Sequence, residues 1–166
     1  AAQQRLNAGD VSAVFNVNAG YGKFWGNFYL GALLYGGGNT SKARVMLQAD
    51  QNTFKLNRNW TAGGEIRVGR SLFSQQFLAY IGLGLQATWY KFSPTQNANL
   101  LGEERFTSSE FVPSIGVMGM VTDKMFLSFQ INYTMGLSQK KYTYSLGTYT
   151  LRPNAVGAVF LVGYKF

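Results

Sequence analysis

The chain has 166 residues, of which 16% are aromatic, 13% charged and 20 glycine, and its 15 Lys and Arg exceed its 7 Asp and Glu for a net charge of +8. Cys and His are both absent, which excludes disulfides, thiolate metal sites and imidazole chemistry. An ordinary globular domain is about a quarter charged, and no stretch here reaches the roughly 20 consecutive apolar residues of a membrane helix. With a mean hydropathy of -0.06, this composition points instead to an all-β protein, a transmembrane up-and-down antiparallel β-barrel in which apolar and polar residues alternate and average out. One domain covering residues 1–166 is expected.

The opening "AAQQRLNAGD" lacks a basic-then-apolar leader, so for an exported protein the signal peptide has been removed. Next comes "VSAVFNVNAGYGKFWGNFYLGALLYGG", where Val11, Ala13, Phe15, Val17 and Ala19 alternate with Ser12, Val14, Asn16, Asn18 and Gly20. Such period-two rows point to opposite faces of a strand. Residues 36–59 read as a long polar connection. In the segment that follows, Ala62, Gly64, Ile66 and Val68 oppose Gly63, Glu65, Arg67 and Gly69. After a short turn, Phe77, Ala79, Ile81, Leu83, Leu85, Ala87 and Trp89 oppose Leu78, Tyr80, Gly82, Gly84, Gln86, Thr88 and Tyr90.

Residues 93–109 form a second polar connection. Beyond it Phe111, Pro113, Ile115 and Val117 oppose Glu110, Val112, Ser114, Gly116 and Met118, with Val121 to Met125 as the turn. Pro113 lacks a backbone donor and belongs at an irregular ladder position. Leu127, Phe129, Ile131, Tyr133 and Met135 then oppose Ser128, Gln130, Asn132, Thr134 and Gly136, the cleanest amphipathic strand of the chain. In the third polar connection, 137–154, "KYTYS" and "TYTL" flank Leu146 and Gly147 and extend the hairpin. The final stretch "AVGAVFLVGYKF" carries an unbroken apolar row: Val156, Ala158, Phe160, Val162, Tyr164 and Phe166.

Eight strands are expected, four of them before residue 72: 11–20, 25–35, 42–51 and 54–71. The piece "GYGKFWGN" also reads as a tight turn, and that division gives seven strands with a partner missing at the N-terminal side. Tight turns at one end and long connections at the other are the asymmetry of an outer-membrane barrel with extracellular loops. Trp25, Trp60, Trp89, Tyr90 and Phe92 lie near strand ends, where interfacial aromatic girdles belong.

The terminal "VGYKF" resembles the C-terminal signature of outer-membrane β-barrels, an alternating aromatic strand closed by a final Phe. The hairpins "GVMGMVTDKMFLSF" and "LAYIGLGLQATWY" are similar to those of the small eight-stranded barrels of the OmpA membrane domain, OmpX and opacity-protein group. That resemblance implies a bacterial outer-membrane location and contact with outer-membrane lipid and lipopolysaccharide. It further implies that Phe160, Val162, Tyr164 and Phe166 are an insertion signal read by the barrel-insertion machinery.

On this register Asn16, Asn18, Glu65, Arg67, Gln86, Thr88, Glu110, Gln130, Asn132 and Thr134 point inward, where an eight-stranded barrel is just wide enough to be filled by side chains. Glu65, Arg67 and Glu110 are candidates for pairing, since buried charges must be neutralised. A structural network is favoured over an ion path by the size of such a barrel. The small-barrel enzymes, including the lipid A palmitoyltransferase and deacylase families, phospholipase A and the omptin proteases, use an active-site His, which this chain lacks. No enzyme, cofactor or metal is therefore expected. Neither "GYGKFWG" nor "GGGNTSK" has phosphate-loop spacing, and scattered cations without a basic run argue against nucleic acid.

Lys42, Arg44, Lys55, Arg58, Arg105, Lys140, Lys141 and Arg152 lie in segments assigned to the external rim, suited to lipid A phosphates. The expected function is a non-enzymatic barrel acting through its extracellular loops and surface, in envelope integrity, adhesion or lipopolysaccharide contact. The alternatives are a subunit of a larger outer-membrane assembly or secretion complex, with protein partners in the envelope, and a narrow channel.

Overall fold

The structure, a computed structural model, describes residues 14–39, 42–47, 52–72, 76–96, 99–100, 103–144, 147–151 and 153–164. Among the described residues there are strands and turns and no helix. The first hairpin pairs β1 (Val14–Trp25) with β2 (Phe28–Asn39). Its two-residue turn is built on Gly26 at φ 60°, a left-handed conformation that glycine adopts without a Cβ clash. The tight turn thus falls at the end of "GYGKFWGN", on Gly26 and Asn27, as the seven-strand division expects, while Gly20 to Phe24 before it pair with Leu33 to Tyr29 in unbroken register.

The remaining elements are β3 (Lys42–Leu47), β4 (Asn52–Leu72), β5 (Phe77–Gln96), β6 (Asn99–Leu100) and β7 (Glu104–Met120). They are followed by β8 (Met125–Gly136), β9 (Lys140–Tyr144), β10 (Gly147–Leu151) and β11 (Asn154–Tyr164). Seven strands form the antiparallel wall in the order β1-β2-β4-β5-β7-β8-β11, curled into a half-barrel, with β3 and β6 added beside β4 and β5. Strand 42–51 is thus not a separate wall strand. Both β2 and β3 pair with β4, β2 against Trp60–Arg70 and β3 against Asn52–Asn57, so together they make one long partner for it. The expected connections 36–59 and 93–109 are largely hairpin arms, and β9 pairs with β10 as an extension beyond β8 and β11.

Pro113 keeps its place opposite Leu83 of β5, while on the β8 side pairing is interrupted between Phe111↔Met135 and Ser114↔Asn132 and resumes in the same register. A missing N–H explains a gap without a shift. The turn from β7 to β8 is closed by Val121 N donating to Met125 O (2.8 Å) and by Thr122 Oγ1 accepting from Met125 N (3.0 Å).

Alternation decides the two faces. Along the convex face Ile66, Ile81, Leu83, Leu85, Ile115, Phe129, Ile131 and Phe160 are all exposed, with Leu85 at 62% and Phe160 at 66%. On the concave face Glu65, Arg67, Gln86, Thr88, Glu110, Ser128, Gln130 and Thr134 are buried, beside Leu78, Tyr80, Tyr90, Phe92 and Val112. Trp25, Trp60 and Trp89 are exposed on the outside, but Tyr90 and Phe92 are buried inside and belong to no outer girdle. Their nearness to a strand end is not a face: with Trp89 outward, the next residue must point in.

β1 and β11 are the ends of the strand order and do not pair with each other among the described residues. Phe15, Asn16 and Val17 face Val159, Phe160 and Leu161 across an open slit of about 590 Å³. Phe160, Val162 and Tyr164 stand exposed on the convex side of β11, and Phe166 lies outside the described residues.

Candidate functional site

The chemistry of the molecule is concentrated on the concave face, in two polar clusters stacked along the strands. The first is centred on Glu65 and Arg67 of β4, two residues apart and so on one face. Arg67 Nε donates to Glu65 Oε1 (2.9 Å) and Arg67 Nη2 to Gln130 Oε1 (2.8 Å), while Gln130 Nε2 returns a bond to Glu65 Oε2 (3.1 Å). Ser114 Oγ donates to Glu65 Oε1 (2.9 Å). The Tyr80 hydroxyl donates to Gln130 Oε1 (3.2 Å) and shares a bond with Ser128 Oγ (3.0 Å). The Tyr80 ring lies 4.6 Å from the Arg67 guanidinium carbon, within cation–π range.

The second cluster is centred on Glu110 of β7, which is 0% exposed. Its carboxylate accepts from Gln86 Nε2 (2.6 Å), Thr88 Oγ1 (2.7 Å) and Tyr90 Oη (2.6 Å), and from Arg58 Nη2 at 3.4 Å. Tyr35 Oη donates to Gln86 Oε1 (2.9 Å), bringing β2 into the same network. Several of these bonds join strands that are not neighbours. Arg67 to Gln130 spans β4 to β8, and Arg58 to Glu110 spans β4 to β7. Such ties across the concavity hold the sheet curled, and the four charges Arg58, Glu110, Glu65 and Arg67 cancel.

Arg58 is the clearest departure from the sequence reading. It does not stand on the rim: its side chain is 17% exposed and paired with Glu110. The physical reason is a β-bulge at Asn59, where the β4–β5 register shifts between Arg58 and Trp60. The extra residue resets the alternation, so Arg58 and Thr61 face inward and Trp60 outward. Glu110 consequently pairs with Arg58, and Glu65 with Arg67. Asn16, Asn18 and Asn132 are half-buried, and Asn16 Oδ1, Arg58 Nε and Ser108 Oγ are buried without a hydrogen-bond partner among the described residues.

Tyr35, Tyr80, Tyr90, Ser114 and Ser128 are network members outside the expected inward polar set. Each sits at an inward position of its strand, and that parity was the available signal. Of the rim cations, Lys42 and Arg44 pair in backbone register with Asn57 and Lys55 of β4, Lys140 and Lys141 lie in β9, and Arg152 falls outside the described residues. Arg105 is exposed on the outer part of β7, and Glu103 bridges Lys91 (2.7 Å) and Arg105 (3.5 Å). The hydrogen bond from Lys91 holds the Glu103 carboxyl below its ordinary range.

No protein-family model, curated protein or solved structure matches this chain.

Proposed function

We propose that this chain is a membrane-spanning β-barrel of the bacterial outer membrane, without enzymatic activity, that acts through its surface and the hairpins at one end. The observation that carries this reading is the inversion of the two faces. A soluble barrel buries its apolar rows and wets its polar ones. Here Ile81, Leu83 and Ile115 face outward while Glu65, Arg67 and Glu110 are buried within the curve.

On β4 the outward residues from Trp60 through Ala62, Gly64 and Ile66 to Val68 carry no charge, and Arg70 follows. Those nine positions span roughly 27 Å of strand, which at a tilt of about 40° rises about 21 Å, most of the apolar band of roughly 25 Å on such barrels. Trp60 and Trp89 pair at one margin and Trp25 lies near the other, as interfacial aromatics do.

Closure at eight strands is supported by direction. In an all-antiparallel wall of seven, β1 and β11 run the same way, so pairing them directly would be parallel. One additional strand in the slit between them would be antiparallel to both and would leave no free edge. The same slit favours a second reading, a subunit of a larger assembly whose partner contributes that strand.

The test is folding into detergent or phospholipid vesicles followed by an unheated gel. A compact form that shifts mobility only on boiling is expected; identical mobility of boiled and unheated samples refutes the barrel. Silence in planar-bilayer recordings is expected from the filled concavity, and reproducible conductance would favour a channel. Stoichiometric co-purification under mild detergent would favour the assembly subunit.

A further inference from the structure

The slit between β1 and β11 has the size of a binding cleft and a lining of two characters. Its volume of about 590 Å³ falls within the roughly 300–1,000 Å³ of ordinary ligand clefts. Phe15, Val17 and Phe160 stand exposed on its outward side, and it continues over Gly36 and Gly38, which offer no outward side chain, as far as Trp60. On its inward side are Asn16 of β1 and, from β11, Val159 and Leu161, which pair with the buried Gln130 and Ser128 and so share their face. The Asn16 Oδ1 is buried without a hydrogen-bond partner among the described residues. Leaving a buried acceptor unsatisfied is costly, and neither Val159 nor Leu161 across the slit has a side-chain donor to offer it.

We infer that the slit binds one extended peptide segment of a partner protein, added as a strand to both edges at once and carrying an uncharged hydrogen-bond donor on the residue that faces Asn16. This rests on the membrane-spanning reading above and gives the additional strand its chemistry. Backbone groups decide the class of ligand. Among the described residues neither β1 nor β11 is paired on the side facing the slit, so each edge presents a row of N–H and C=O groups. An acyl chain filling the space leaves both rows unpaired in apolar surroundings, whereas a peptide strand pairs both. Because β1 and β11 run the same way, a single strand antiparallel to both serves each edge. Alternation then sets its side chains. The outward ones lie between Phe15 or Val17 and Phe160 and are apolar, with space over Gly36 and Gly38 for one that reaches toward Trp60. The inward ones lie between Asn16 and Val159 or Leu161. The inward donor is uncharged, because Arg58 with Glu110 and Arg67 with Glu65 already cancel and a further buried charge has no counter-ion. Thr and Ser meet both requirements.

The probe is a synthetic peptide of about ten residues, the length of a membrane-crossing strand, alternating Val with Thr and flanked by lysines for solubility. It is titrated into the folded full chain in non-ionic detergent, and saturable binding is expected. Methylating alternate backbone nitrogens of the peptide removes the donors of one edge and keeps every side chain, and should weaken binding about tenfold or more. A Val–Ala peptide should bind more weakly than the Val–Thr one, and the gap between them should narrow about fivefold in Asn16→Ala, the worth of one hydrogen bond. The chain has no cysteine, so position is read by capture. A peptide with one outward cysteine should form a disulfide with V17C on one edge and with F160C on the other, and not with L83C on the uninterrupted wall. Should N16A fail to fold, capture and the methylated peptide still decide. Equal binding of the methylated peptide, or capture by fewer than both edges, overturns the inference. So do V17C–F160C dimers, which give the slit to a second copy, and an internal disulfide in A2C/V17C, which gives it to the chain's own N-terminal segment. All of these leave the barrel standing; a wild-type chain with no heat-shifted form overturns the barrel and this inference with it.

Discussion

Replacing Glu110 by Ala tests whether the concave network holds the fold together. The carboxylate is completely buried and accepts three short bonds, from Gln86, Thr88 and Tyr90, besides its contact with Arg58. Removing it leaves the Arg58 guanidinium inside the curve without a counter-charge, and its Nε is already unpartnered. Breaking one side of a buried ion pair costs about 3–5 kcal/mol. Because Arg58 is 17% exposed, water reaches it, and a loss near the lower figure, about 3 kcal/mol, is expected. Replacing both partners by apolar residues removes the stranded charge, so R58M/E110M should recover at least about half of that loss. Urea titration of the protein folded in vesicles, followed by tryptophan fluorescence and unheated gel mobility, measures both variants. The reasoning is refuted if E110A lies within about 0.5 kcal/mol of the wild type, or if the double variant is as unstable as the single one.

Three further outcomes follow from particular contacts. Gly116→Ala places a Cβ 2.6 Å from the Tyr80 ring and 2.8 Å from the Phe129 carbonyl oxygen, and should cost about 1–3 kcal/mol in the same titration; a neutral result would mean that Tyr80 is not held against β7. Thr122→Ala removes the side-chain acceptor of Met125 N and Lys124 N at an exposed turn, and a loss of about 0.5–1 kcal/mol is expected. Glu103 has a lowered pKa through its hydrogen bond from Lys91. Its contribution is therefore present above its ordinary pKa and lost as pH falls through the depressed value. Amide exchange at the outer ends of β5 and β7, corrected for intrinsic rates, should quicken as pH falls below the ordinary carboxylate range, and E103Q should abolish that pH dependence.

Strict alternation made much of this architecture legible in the sequence. Glu65 and Arg67, Gln86 and Thr88, and Gln130 with Thr134 fall on one side of their strands because each strand runs without interruption through them. Arg58 was not legible, since the bulge at Asn59 shifts the face of everything before it and leaves no mark in composition. The outer arms of β4, β5 and β7 read as loops because, past the Trp60–Trp89 pair, their outward residues become polar and the two-faced contrast fades. Before residue 59 the eight-strand division fails for a related reason and the seven-strand one holds: β2 and β3 look like two wall strands in sequence, yet both lie against β4. Tyr80 and Tyr90 share the inward row of Gln86 and Thr88, but alternation alone does not say which buried acceptor each hydroxyl reaches.

The most direct test of the membrane-spanning account is the folding free energy of Leu83→Arg in phospholipid vesicles. Leu83 lies mid-wall on the outward face, opposite Ile66 of β4 and Pro113 of β7, and is 58% exposed. If that face meets hydrocarbon, an arginine there costs about 2–4 kcal/mol. If the face meets water, the same change is an ordinary surface substitution, within about 0.5 kcal/mol of the wild type, and that result would contradict the account.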